Sequence, residues 1–157
     1  MADSKVTTYA AAFLVVGILI GTAVGFTLFH TDNAEKNETY WFYLDDGKVS
    51  DSKSGWYSAK STDQCNALQK ALTEKSVNWT FQMNDYGFSM DSIAGKLMEK
   101  IDGNWYWWSQ YFWSGNEYVL SEVSFDKLEG KNIFLLIYGN GSEPIPDAAK
   151  TGGPFKP

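Results

Sequence analysis

Between Lys5 and His30 the chain carries no charged side chain, and Tyr9 to Phe29 (YAAAFLVVGILIGTAVGFTLF) is a run of 21 mostly apolar residues. Coiled as a helix, such a run is about 31 Å long, which matches the hydrocarbon thickness of a bilayer. A buried helix of a soluble protein is rarely apolar on every side for this length. The polar positions Thr22 and Thr27 can return their hydroxyls to the helix backbone. The reading is one transmembrane helix over residues 9–29, acting as an uncleaved signal anchor behind a short cytoplasmic tail, residues 1–8. Ala23-Val24-Gly25 resembles a small-x-small cleavage site, with Lys5 as a minimal positive region. Against cleavage, the run exceeds the roughly 7 to 15 residues of a signal-peptide core.

Lys5 and Lys36 balance each other across the span, so basic residues do not orient it. The eight-residue tail is too short for a domain, and the long side carries three N-x-S/T sequons, at Asn37, Asn78 and Asn140. These place the C-terminal portion outside the cytoplasm, with the three asparagines as glycosylation candidates. Gly17, Gly21 and Gly25 recur every four residues and line one helix face, where a second helix can approach closely. A homodimer through the membrane helix is the partner this ridge suggests.

The rest of the chain limits the chemistry available. It has 13 Lys, no Arg and 19 acids, for a net charge of -6, which offers no basic face for nucleic-acid phosphates. One cysteine, Cys65, and one histidine, His30, exclude a disulfide framework and a Cys/His zinc site. Asp45, Asp46 and Asp51 lack the register of a calcium loop and read as a plain turn, so no metal site is expected. Without a histidine beyond residue 30 there is nothing to activate Cys65, and no nucleophile elbow or phosphate loop is present. The chain reads as no enzyme.

Residues 30–39 (HTDNAEKNET) form a polar stalk, and residues 40–139 are expected to form the extracytoplasmic domain. Tyr40 to Leu44 is an aromatic strand ending at the Asp45-Asp46-Gly47 turn. Ser61 to Gln64 looks like a capping box opening a helix through about Lys75, with Cys65, Leu68 and Leu72 on one face. Strands are expected over Val77 to Met83, Phe88 to Ile93, Trp105 to Trp113, Tyr118 to Val123 and Asn132 to Tyr138. Asp91 to Lys100 reads as strand, turn and irregular chain, because Gly95 weakens a helix there. The fold class is α+β, one helix packed on antiparallel sheet. Residues 140–157 hold all four prolines and lack periodicity, so a disordered tail is expected.

In that order, the helix with Ala67-Leu68 and Ala71-Leu72 is followed by YGFSMDSIAGK, IDGNWYWWSQYFWSGNEYV and LEGKNIFLLIYG. The arrangement resembles the transcobalamin C-terminal-like domain, also found in bacterial and archaeal surface proteins. The resemblance covers about 100 residues, Tyr40 to Gly139, through Gly87, Ile93-Ala94-Gly95, Trp105 to Gly115 and Leu128-Glu129-Gly130. Ser114-Gly115 stands where Asn-Gly is usual, and Lys131-Asn132 where an Asp is usual. The resemblance implies a β-grasp-like fold and a corrinoid, cobalamin, as ligand. The larger helical domain that completes the animal vitamin carriers is absent from this sequence.

Four of the seven tryptophans crowd into Trp105 to Trp113. By period two, Trp105, Trp107, Ser109, Tyr111 and Trp113 share one strand face, and Tyr106, Trp108, Gln110 and Phe112 the other. One set packs on the helix; the other either forms a second core layer, the use favoured by the buried area that a small domain without disulfides needs, or is left for a planar or sugar-like ligand. The ligand-binding candidates are Trp105, Trp107, Trp108, Tyr111, Trp113 and Gln110, and the expected function is a membrane-anchored extracytoplasmic binding module. The alternative is a structural or adhesin-like surface protein acting through protein contacts and helix dimerisation.

Overall fold

The computed structural model describes residues 37–47 and 52–156. The span over residues 9–29, with Gly17, Gly21 and Gly25, lies outside them. Among the described residues no helix is long and apolar enough to cross a membrane.

Two segments with near-continuous apolar character, β1 (Glu38–Asp45) and β9 (Ile133–Gly139), are buried on both faces and form the middle of the main sheet. A strand exposed on one side alternates apolar and polar residues; FLLIY in β9 does not, because each face meets its own core. They pair in parallel, Phe42 opposite Phe134 and Leu44 opposite Leu136. The other pairs in the sheet are antiparallel: β2 (Gly55–Ser61) on β1, and β7 (Asn104–Trp113) on β9. Beyond β7 lie β6 (Glu99–Ile101) and β8 (Tyr118–Leu120), both on its outer edge, giving the order β2-β1-β9-β7-β6. The expectation of antiparallel sheet is thus corrected at its centre. Side-chain alternation tells which face a residue takes, not which way its neighbour strand runs.

Helix α1 (Gln64–Glu74) lies against β2 and β1, burying Gln64, Ala67, Leu68, Ala71 and Leu72. Its N-cap is Asp63, not Ser61: Asp63 Oδ1 accepts from the Asn66 N–H at 2.8 Å, while Ser61 is still paired in β2. The buried Gln64 side chain donates instead to the Phe125 carbonyl at 2.9 Å. The helix ends with Ser76 at φ 53°, where the Val77 N–H reaches the Leu72 carbonyl at 2.9 Å.

A second, three-stranded sheet follows: β3 (Trp79–Asn84), β4 (Gly87–Ile93) and β5 (Lys96–Leu97). The Ala94-Gly95 turn between β4 and β5 has both residues at positive φ, the twist a two-residue hairpin favours. The two sheets meet at a 3₁₀ turn, Phe125–Lys127, that no sequence periodicity announces. Phe125 is fully buried, with its ring 4.8 Å from Phe134, 6.0 Å from Phe88 and 6.3 Å from Phe42. Asp126 accepts from the Phe88 N–H at 2.9 Å, and the Ser124 hydroxyl donates to the Phe88 carbonyl at 3.1 Å. A side chain at Gly87 would collide with this clasp, its Cβ falling 2.4 Å from Ser124 Oγ at φ +114°.

The C-terminal segment is not a loose tail. After β9 it crosses the far face of the main sheet as α2 (Ala148–Thr151) and a 3₁₀ turn, Gly153–Phe155. Ala149 is fully buried, and with Ile145 and Phe155 it covers Tyr43, Leu135, Ile137 and Tyr118. Trp56 Nε1 donates to the Ala148 carbonyl at 3.1 Å and Tyr118 Oη to the Ala149 carbonyl at 3.0 Å. The expectation of a disordered tail over residues 140–157 is corrected for its described part, residues 140–156, because apolar residues can cover a sheet face without any regular period. One further boundary moves, Glu38 and Thr39 belonging to β1 rather than to the stalk, and β2 is a strand beyond those expected.

Candidate functional site

Strand β7 distributes its aromatic residues as alternation requires. Trp108 lies in the core on the α1 side of the sheet and is 8% exposed, its ring 5.5 Å from Tyr138 and its Nε1 donating to the Lys96 carbonyl of β5 at 3.1 Å. Tyr106 and Phe112 pack beside it. On the opposite face Trp113 is taken up by Tyr118 at 5.1 Å and Phe155 at 4.8 Å, in the layer that the C-terminal segment closes. Trp108 and Trp113 therefore serve as core. Gln110 donates to the Val123 carbonyl at 2.6 Å and pins the chain leaving β8. Trp105, 54% exposed at the start of the strand, stands opposite Lys100.

Trp107, Trp108, Gln110 and Tyr111 nevertheless share one feature: they line a cleft of about 690 Å³, which Trp105 and Trp113 do not. Five consecutive residues, 107–111, contribute to it, so the cleft lies along the edge of β7 rather than over a face. Its far wall is β4, from Phe88 to Asp91. Met98 closes one end and Leu120 and Ser121 the other, with Asn140 and Gly141 beside Trp107. Gly141 lets the Trp107 ring lie close: a Cβ there would be 3.1 Å from it.

The edge is open because its ladder is interrupted. Strand β6 pairs with β7 up to Tyr106, and β8 resumes at Tyr111, preceded by the Ser121 N–H donating to the Gln110 carbonyl at 2.9 Å. Among the described residues no strand pairs with that edge across Trp107, Trp108 and Ser109; β5 lies beside β7 without pairing, its Lys96 carbonyl accepting from Trp108 Nε1 at 3.1 Å. Main-chain groups alternate in direction along a strand, so with Gln110 turned outward, those of Trp108 also point into the gap.

Asp91 is the one charged side chain of the lining, and no lysine is among the lining residues. Its carboxylate accepts from Ser89 Oγ at 3.1 Å. Tyr111 has its phenol pushed above the usual value by burial and then by the Glu143 carboxylate, so it is a neutral donor at physiological pH. The rim is apolar: Met98 is 67% and Leu120 53% exposed. Asp91, Met98, Ser121 and Gly141 escaped sequence reasoning, since each enters the site through pairing between distant segments.

Of the three sequon asparagines, Asn37 and Asn78 are exposed, and Asn140 is half-buried at the cleft with its Oδ1 accepting from the Ser142 N–H at 3.1 Å. Asp46 carries no sign of a vacant ligand: its carboxylate is filled by the Lys53 N–H at 2.5 Å and the Ser52 and Ser54 hydroxyls at 2.5 and 2.6 Å.

Cys65 lies away from the cleft, beside Trp79 and Phe81 in a smaller hollow of about 390 Å³. Burial, then the carboxylates of Asp63 and Asp126, push its thiol up to about 12. The reactive thiolate is thereby suppressed. Iodoacetamide at pH 8 is expected to label Cys65 at least tenfold more slowly in the folded protein than in urea, followed by mass spectrometry. Equal rates would contradict this environment.

A third hollow, of about 600 Å³, lies under Pro144 and Pro146 beside Tyr106 and Tyr138, and its wall at Gly47 adjoins residues outside those described. Compared with family models, curated proteins and solved structures, the chain matches none of them.

Proposed function

We propose that this chain is a membrane-tethered, non-catalytic binding module displayed outside the cytoplasm, and that its ligand lies in the cleft between β4 and β7 against Trp107. The observation that carries the reading is the interrupted ladder of β7: a half-buried indole, outward main-chain groups and an apolar rim converge where the sheet has left a place for something else. The charge-free run from Tyr9 to Phe29 supports the tether. A β-grasp-like assignment draws support from the parallel β1–β9 pair flanked by β2 and β7, with α1 across one face. A kinship with the transcobalamin C-terminal-like domain would make a corrinoid one ligand to try. The single carboxylate of the lining, Asp91, has no lysine, histidine or second acid beside it within the cleft, which supports binding rather than acid–base chemistry.

The test uses full-length protein, expected in the membrane fraction and released by detergent. Its tryptophan emission is titrated with cobalamin, a chito-oligosaccharide and a cello-oligosaccharide. At least one is expected to give a saturable change, and Trp107→Ala to weaken it about tenfold, the loss of one aromatic contact surface. Trp105→Ala is expected to leave it unchanged. Recovery from the cytosol without detergent would remove the tether, and an unaltered affinity in Trp107→Ala would remove the site.

A further inference from the structure

We propose that the cleft takes an N-acetylated amino sugar, its acetamido group meeting the main chain of Trp108 and its pyranose ring lying on Trp107. The inference rests on the binding role proposed above and names the ligand class of the same site.

The break in the ladder is short. It runs from Tyr106, the last residue paired with β6, to Gln110, the first reached from beyond β8. At roughly 3.3 Å per residue, about 13 Å of edge lies between these two positions. Both ends are stopped, by Glu99 opposite Tyr106 and by Ser121 against Gln110. A peptide adding itself as a strand would have to run through those stops. A single secondary amide fits between them, because one outward residue, Trp108, offers the donor and acceptor spacing that an amide N–H and C=O complement.

The remaining walls suit the rest of such a sugar. The Trp107 ring, cleared by Gly141, offers an apolar face to the C–H side of a pyranose. The Asp91 carboxylate, oriented by the Ser89 hydroxyl that donates to it at 3.1 Å, supplies an acceptor for the sugar hydroxyls. With one carboxylate and no cation in the lining, a neutral sugar is matched and an acidic one is opposed. A sugar lacking the acetamido group would leave the outward N–H of Trp108 facing a ligand that cannot pair with it.

The test is a titration of full-length protein in detergent with triacetylchitotriose, cellotriose and an acetylated alanine tripeptide amide, read by tryptophan emission. Amide shifts of nitrogen-15-labelled protein supply the second readout. Triacetylchitotriose is expected to bind at least tenfold more tightly than cellotriose, to shift the Trp108 amide where cellotriose does not, and to bind about tenfold more weakly in Trp107→Ala. Equal affinity for the two sugars overturns the acetamido inference while the binding module stands. So does tighter binding of the tripeptide, or binding of cobalamin alone. If nothing in either panel binds, the proposed function falls with it.

Discussion

Removal of residues 144–157 is expected to cost the folded domain about 3 kcal/mol and to turn a monodisperse protein into one that self-associates. The segment contributes Ile145, the fully buried Ala149 and Phe155, and it shields Tyr43, Leu135, Ile137 and Tyr118. Burying one large apolar side chain contributes about 1.5 to 3 kcal/mol. Ordering each residue costs about 1 to 2 kcal/mol, so the net effect is much smaller than the sum of the contacts. Prolines at 144, 146 and 154 lower that cost, since their φ is already restricted in the unfolded chain. The exposed sheet face would be a contiguous apolar patch, which drives association. Urea unfolding followed by tryptophan emission, with light scattering for mass, checks both effects. A midpoint and mass equal to those of the intact chain would mean that the segment does not dock. Gly153→Val asks the same question with one residue: its Cβ would fall 2.4 Å from the Trp56 ring, at φ +55°.

Phe125→Ala is expected to be the most damaging single substitution, at about 3 to 5 kcal/mol, the range for deleting a buried phenyl ring. The ring stands at the junction of the two sheets, with Phe42, Phe88 and Phe134 around it, and none of these can close the void without pulling a strand out of register. Its carbonyl is the acceptor for the buried Gln64 amide, so any shift of the 3₁₀ turn also strands a buried donor. Through Asp126 and Ser124 the same turn holds β4, the far wall of the cleft, so ligand affinity is expected to fall together with stability. Phe81→Ala serves as the comparison, because Phe81 is only half-buried at the margin of the same core, and a smaller loss is expected there. Equal unfolding midpoints for the two variants would show that Phe125 is not the link between the sheets.

Much of the secondary structure was legible because it depends on near neighbours. The stripe of Leu68, Ala71 and Leu72 marks a helix, and the alternation through Trp105 to Trp113 marks a strand whose two faces must meet different surroundings. The Ala94-Gly95 turn was readable from glycine alone. Strand β2, GWYSAKS, was not. As an edge strand with serines and a lysine it carries too few large apolar residues to stand out, and its identity comes from pairing with β1.

The candidate site shows the same division. The sequence singled out the aromatic strand and its two faces, but Trp108 and Trp113 proved to be core and Trp105 lies off the cleft, leaving Trp107 as the ring set against open space. Which rings are covered depends on the C-terminal segment arriving at Trp113 on one side and β5 arriving at Trp108 on the other, and no local pattern records that.

Residue order by itself determined the apolar span from Tyr9 to Phe29, the acidic charge, the single cysteine and single histidine, and most strand and helix positions, because these follow from composition and from periods of two and 3.6 residues. Tertiary structure alone decided the parallel centre of the sheet, the docking of residues 144–156 and the break in the ladder at Trp108. Each of these arises from contacts between segments far apart in the chain, and the free energy of such contacts belongs to the pair of surfaces that meet, not to either stretch of sequence.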